Sequence, residues 1–350
     1  MQTVVRKQHS SSGSGSSSSS RSNRLDYVWW LSVITLVGLF IVNVAGFMDT
    51  ETGSALGCGH EWPLCNGSVI PDVWGLRTII EFAHRAIVGG VTILLLVTSV
   101  VAWKKYGGRL EVRVFILTAV GFVFVEALLG ALGVLFSDPP AILAIHLGVS
   151  LMAFAGIVLL TIVLAQIQRA FAREHEAGSL DSQALGGNRS KSRLAHLRLR
   201  AGFLPRRFRF WSVFAAVYTF IALYIGAFIA SIGAGASFRG FPFPTETLQQ
   251  AGKNFYFDIL HRSVALGLIV LCVVLFVSAY KVRADRPDLF RGASTAIFLV
   301  CLQGLSGGLL VYTHLSIPAF LLHVSVVSCL FATLGYLVLQ SLPESERATH

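Results

Sequence analysis

The amino-acid sequence predicts an all-α integral membrane protein of eight transmembrane helices, arranged as two parallel-repeat four-helix bundles. Three observations carry that prediction. Of 350 residues, 54% are hydrophobic and only 13% charged, against about 25% charged in an ordinary soluble domain. Apolar runs of about 20 residues, long enough to cross a bilayer, recur along the chain. The chain also matches itself at one fixed offset that brings His, Arg and acidic residues into register.

The runs predict helices over 27–47, 77–102, 112–136, 140–168, 210–233, 256–280, 292–312 and 316–340. The first run is long enough to span and seven more follow, so it reads as a helix rather than a cleavable leader. Residues 8–20 are mostly Ser and Gly, which cannot bury apolar surface, so 1–25 reads as a disordered tail. An N-terminal half over 26–168 contains an outer cysteine loop at 48–76. A basic linker over 169–209 separates it from a C-terminal half over 210–340, and 341–350 forms a tail.

A formal net charge of +10 would point to nucleic acid in a soluble protein. Here the cations sit between apolar runs, so they report topology, and nucleic acid is not expected as a partner. Arg6, Lys7, Arg21 and Arg24, then Lys104, Lys105, Arg109 and Arg113, then the Arg-rich linker, then Lys281, Arg283, Arg286 and Arg291 all fall on one side. The other side has only Arg77, Arg239 and Lys253 in loops, with Arg85 and Arg262 just inside helices. Both termini are therefore expected in the cytoplasm of a multi-pass plasma-membrane protein.

Sliding the chain by 177 residues places Glu81-Phe-Ala-His84-Arg85 on Asp258-Ile-Leu-His261-Arg262, His146 on His323, Glu126 on Gln303 and Gly130 on Gly307. Apolar helices resemble one another by composition, but shared His and Arg positions do not follow from composition. Four helices per copy give both copies the same orientation, hence parallel repeats about an axis along the membrane normal.

Ionisable groups in lipid are costly and mark function. His84, His146, His261 and His323 lie inside apolar runs, all within about 10 Å of the outer ends of their helices at 1.5 Å per residue. Two imidazoles at one depth on different helices suit the axial positions of a haem iron. Zinc would require a fuller Cys, His or carboxylate set. The alternative for each is a hydrogen-bonded packing residue. His9, His175, His196 and His350 read as solvated. Gly89, Gly90, Gly130, Gly148, Gly267 and Gly307 either admit a flat ring or simply pack helices. Arg85 and Arg262 fit haem propionates through their planar forks, or reach to lipid headgroups. Glu81 lies one turn from His84, where a carboxylate could move protons, although a helix-start acid fits too. Glu126 is too deep for a cap.

Cys58 and Cys65 sit in the outer loop Gly57-Cys58-Gly-His60-Glu-Trp62-Pro63-Leu-Cys65-Asn-Gly67. A structural disulfide and a redox-active pair fit this spacing equally on an oxidising face. His60 either tunes a thiol or is an ordinary loop residue. Cys272, Cys301 and Cys329 read as apolar filler.

Cys58 with Trp62-Pro63-Leu64-Cys65, then Glu81-Phe-Ala-His84-Arg85, His146, His261-Arg262 and His323 together resemble the haem A synthase family, over about residues 27–340. The resemblance implies oxidation of the C8 methyl of haem o to a formyl group, in two hydroxylations, to give haem a for terminal oxidases. It implies a haem b cofactor on His261 and His323, substrate haem on His84 and His146, and a role in activity for Glu81. It further implies that Cys58 and Cys65 serve electron transfer or integrity, and that a haem o synthase, a farnesyltransferase, is the partner. The sequence departs from the family at Gly59-His60-Glu61, where a Cys-Pro-Asp-Trp-Pro run is common, at Met48, where an Arg is often near, and at Glu126, where an amide like Gln303 is expected. An oligomer is compatible with the sequence. The competing class, a dihaem b-type electron-transfer cytochrome, would stack haems at different depths, whereas these histidines share one level. A transporter built from parallel repeats is a third class.

Overall fold

The computed structural model of the chain describes residues 26–137, 139–176, 199 and 206–343. The expected N-terminal tail, most of the linker beyond residue 176 and the C-terminal tail beyond 343 lie outside the described residues.

Eight helices among the described residues are long and apolar enough to cross a membrane. They are α1 (Tyr27–Glu51), α2 (Leu76–Tyr106), α3 (Leu110–Leu135), α4 (Pro140–Glu176), α5 (Arg206–Ser231), α6 (Asn254–Lys281), α7 (Pro287–Tyr312) and α8 (Ile317–Ser341). All eight expected spans are present. Helix α4 runs past residue 168 to Glu176 and α5 starts at Arg206, so both ends of the basic stretch are helical. The change from apolar to polar residues marks where lipid ends. It does not mark where a run of helix formers stops.

Local chemistry sets several boundaries. Asp26 caps α1, its carboxylate accepting from the backbone N–H groups of Val28 at 3.1 Å and Trp29 at 3.2 Å. Lys104 and Lys105 in the last turn of α2 complement the negative end of its dipole. Pro residues open α7 and α8, where a missing N–H costs nothing.

The helices pack in two rings. In one, α1 touches α2, α2 touches α3, α3 touches α4, and α4 returns to α1. In the other, α5, α6, α7 and α8 follow the same cycle. Helix α4 joins the rings through α5 and α8, and α1 also touches α8. Accordingly, 72% of the α4 span is buried, against 50% for α8 and at most 33% for the others. The apolar core follows this plan. One cluster fills the first ring, another fills the second, and Leu151, Ala155 and Phe331 form a third where α4 meets α8. Outward-facing Ile34, Ile41, Ile93, Leu117, Phe124, Leu266 and Phe298 remain exposed, as lipid contact allows.

At the face opposite the cysteine loop, Asp26 also receives Tyr106 Oη at 2.6 Å, Gln168 Nε2 at 2.5 Å and the Lys105 ammonium. This ties the start of α1 to the end of α2 and to α4. On the same face of the second ring, the fully buried Arg286 forks onto Asp288 and donates to the Gln340 carbonyl at 2.7 Å, joining α7 to α8.

Candidate functional site

Helix α2 begins under the loop over residues 52–75, and that loop is fastened to it. Gly57 is required there, because a Cβ would collide with the Arg77 carbonyl and come within 2.7 Å of Thr78 N. Thr78 Oγ1 donates to the Gly57 carbonyl at 2.9 Å. Cys58 and Cys65 are joined by a disulfide, which selects the bridged form left open by their spacing. Within the loop, Asn66 N–H donates to the Cys58 carbonyl at 2.9 Å. His60 Nδ1 lies 3.2 Å from the Val134 carbonyl, so it bonds the end of α3.

One turn into α2, Glu81 is almost fully buried and accepts the Cys58 N–H at 2.6 Å. Its second oxygen pairs with Arg85 at i+4. Arg85 in turn donates to the carbonyls of Leu64 at 2.9 Å and Glu61 at 3.3 Å. The second ring repeats this arrangement. Arg262 Nε donates to Asp258 at 2.6 Å, and Nη1 donates to the Pro242 carbonyl of the α5–α6 loop at 2.7 Å. Sequence reasoning placed each Arg beside propionate or lipid. The structure adds a loop-clamping role that the spacing of acid and Arg could have signalled.

His84 of α2 and His146 of α4 wall one cavity of about 350 Å³ in the first ring. Glu81, Arg85, Trp62 and Pro63 stand at its cysteine-loop end, and Asn43 and Glu126 line it farther in. The Nδ1 atoms of both imidazoles are buried without a hydrogen-bond partner. Each ring rests against a glycine of a neighbouring helix. A Cβ on Gly46 would lie 3.1 Å from His84 Cε1, and one on Gly130 would lie 3.4 Å from His146 Cε1.

In the second ring, His261 and His323 lie within electrostatic reach of one another. A Cβ on Gly226 would lie 3.2 Å from His261 Cε1, and one on Gly307 would lie 3.3 Å from His323 Cε1. His261 Nδ1 is buried without a partner. His323 differs, with Gln303 Nε2 3.0 Å from its Nε2 and Ser306 Oγ 3.0 Å from its Nδ1.

Of the glycines singled out in the sequence, Gly130 and Gly307 face imidazoles. Gly89 and Gly90 have nothing within 4 Å of a Cβ position, while Gly148 packs on Phe220 and Gly267 on Tyr218. Gly46 and Gly226 were missed because they correspond at an offset of 180 residues, outside the register of 177 that relates the histidines. Asn43 was missed because one amide in an apolar run gives no pattern.

Buried imidazole nitrogens without partners, facing glycines and a cavity lined mainly by apolar groups are what a flat porphyrin with axial nitrogen ligands needs. Among the described residues no cluster of three or more His, Cys, Asp or Glu could hold a bare metal ion.

Fold and site together define a multi-pass helical membrane protein with four interior imidazoles, two in each ring. The COX15-CtaA family, described as cytochrome oxidase assembly protein, matches residues 75–335. The chain belongs to that family. Its relatives include proteins named heme A synthase from Bacillus cereus (strain AH187) and Bacillus anthracis (strain A0248). Each is 31% identical over 314 residues, covering 89% of this chain and 93% of the relative.

Proposed function

We propose that the chain is a haem A synthase, oxidising the C8 methyl of haem o to a formyl group and so supplying haem a to terminal oxidases. The cavity walled by His84 and His146, with Glu81 at its rim, carries this reading. The relatives' names support it.

In this reading the two rings are parallel repeats of one four-helix unit, divided as 26–168 and 210–340 about the basic linker. Matching helix cycles and matching imidazole–glycine contacts support that division. The asymmetry of Lys and Arg supports cytoplasmic termini, with the cysteine loop and haem sites toward the outer face of the plasma membrane. The first ring receives the substrate haem on His84 and His146. The second holds haem b on His261 and His323. Haem b, when bound, supplies a one-electron redox centre.

The chain's own residues do the rest. The imidazoles bind and fix the ring plane. Arg85 and Arg262 each keep N–H donors beyond those used on the acid and the loop, and these suit propionates. The C8 methyl shares its pyrrole ring with a propionate, so propionates held near Arg85 bring that methyl toward Glu81. Methyl oxidation releases protons, and Glu81 is the carboxylate positioned to take them. The Trp62-Pro63 segment lines the cavity at its cysteine-loop end. The disulfide holds the loop that carries this segment. A haem o synthase is the expected donor of substrate, because a farnesylated haem partitions into lipid.

Co-expression with a haem o synthase, followed by haem extraction and chromatography, tests the proposal. Haem a should form with the intact chain. His84→Leu should abolish it while leaving the haem of the second ring bound. Haem a at wild-type levels in His84→Leu would refute the assignment.

A further inference from the structure

The inward end of the first cavity is polar where an apolar ring would gain nothing from polarity. On α1, Leu39, Val42, Asn43, Gly46, Asp49 and Thr50 form the face turned to the cavity. Asn43 is one turn inward of Gly46, which touches His84. On α3, Glu126 is likewise one turn inward of Gly130, which touches His146. Both therefore flank the inner edge of whatever the two imidazoles hold. Asn43 is 6% exposed, and its Nδ2 is buried with no hydrogen-bond partner. Glu126 lines the same space, and its carboxyl makes no hydrogen bond to any described residue. A buried donor left unsatisfied is costly and calls for a ligand atom.

The second ring has no such pair. The position matching Asn43, counted from Gly226 as Asn43 is from Gly46, is Leu223. The position matching Glu126 is Gln303, whose amide is turned onto His323. The second ring keeps a polar group at this level, Gln303, whose Oε1 is buried without a partner, but lacks the Asn43 donor.

Resting on the proposed function, we propose that Asn43 and Glu126 form a hydroxyl-recognition pair for the substrate haem, binding the carbinol oxygen on the carbon that joins its isoprenoid chain to the ring. The isoprenoid side chain and the propionates occupy opposite edges of such a haem. Propionates at the Arg85 rim therefore send the hydroxyl inward, to the level of Asn43 and Glu126. The amide N–H donates to the hydroxyl oxygen, and the hydroxyl hydrogen bonds to the Glu126 carboxyl. Protohaem has a vinyl group at this position and would leave both polar groups buried and unpaired, so it is rejected. The two residues choose which haem enters the first ring, while Leu223, standing in place of the Asn43 donor, suits the second ring to a haem without the hydroxyl.

The test uses full-length protein purified from cells that co-express a haem o synthase, with extracted haems quantified per polypeptide. Variants are Asn43→Leu, Glu126→Leu, the double Leu variant and Glu126→Gln. In the double variant, the ratio of hydroxyl-bearing haems to protohaem should fall by at least about tenfold, with protohaem taking the vacated share and total haem per chain preserved. Glu126→Gln keeps a hydrogen-bonding group and should retain most of the wild-type ratio. Because the Leu substitutions remove unsatisfied polar groups, the double variant should melt at or above the wild-type temperature. A ratio within about twofold of wild type would overturn the inference. So would a lowered melting temperature with loss of all haem, because the pair would then be structural. Wild-type protein carrying no hydroxyl-bearing haem or its oxidised products would instead bring down the proposed function itself.

Discussion

The carboxylate of Glu81 receives the backbone N–H of Cys58 at 2.6 Å, so the acid at the cavity rim is also an anchor of the disulfide loop. One side chain joins that loop to the helix that carries His84. In Glu81→Ala, the Cys58 N–H loses its acceptor and Arg85 keeps only the Leu64 and Glu61 carbonyls. Hydrogen bonds to a charged group contribute about 1.5–3 kcal/mol, equivalent to roughly tenfold or more in a loop-opening equilibrium. Reduction of the Cys58–Cys65 bridge by dithiothreitol should accelerate by about that factor, as read by alkylation and mass spectrometry. An unchanged rate would mean that other contacts hold the loop.

The glycine contacts give a second expectation. Gly46→Ala and Gly226→Ala each place a methyl 3.1–3.2 Å from an imidazole carbon, so the ring must shift by a few tenths of an ångström. Each should weaken haem retention in its own ring, with loss of about half or more of that ring's Soret absorbance after purification, as misplaced ligands lose affinity. Gly148→Ala, which lies outside the cavity lining and whose methyl would meet only Phe220 at an ordinary 3.8 Å, should retain its haem. Equal loss in all three variants would show that helix packing, and not imidazole placement, was disturbed.

A third concerns acid stability. Burial pushes the Asp26 carboxyl up, but bonds from Lys105, Tyr106 and the Trp29 N–H outweigh it and hold the group below its ordinary value. A carboxyl depressed in the folded state contributes stability above its unfolded pKa, and that contribution disappears as pH falls through the folded value. The contribution should thus be intact at neutral pH and fade only below about pH 4. Asp26→Asn keeps a helix cap but gives up the charge bonded by Lys105 and Tyr106, so it should lower stability by up to about 1 kcal/mol at neutral pH, with the difference from wild type shrinking in acid. Melting curves in detergent at pH 7 and pH 3.5 check both statements.

The spans were legible because lipid imposes a coarse rule. A backbone with no water to bond must be helical for the full thickness, and only apolar runs tolerate that. The histidine register was legible because ionisable residues stand out against such runs. Three features were not legible. Whether Cys58 and Cys65 are bridged depends on the path of the loop around Gly57 and Asn66, which spacing does not specify. The imidazole contacts of Gly46 and Gly226 cross from one helix to another, and their shift of three residues relative to the histidines hid them. The clamps made by Arg85 and Arg262 need the loop carbonyls of Leu64 and Pro242, and no pattern in the helices announces those partners.

Helix α4 leans on α1 and α3 of its own ring and on α5 and α8 of the other. Those contacts are made between the helices themselves. A chain nicked between Glu176 and Arg206, or produced as two separately translated fragments, keeps this helix-to-helix wall. The molecule can thus be treated as a natural heterodimer written on one gene, with α4 as its dimerisation surface.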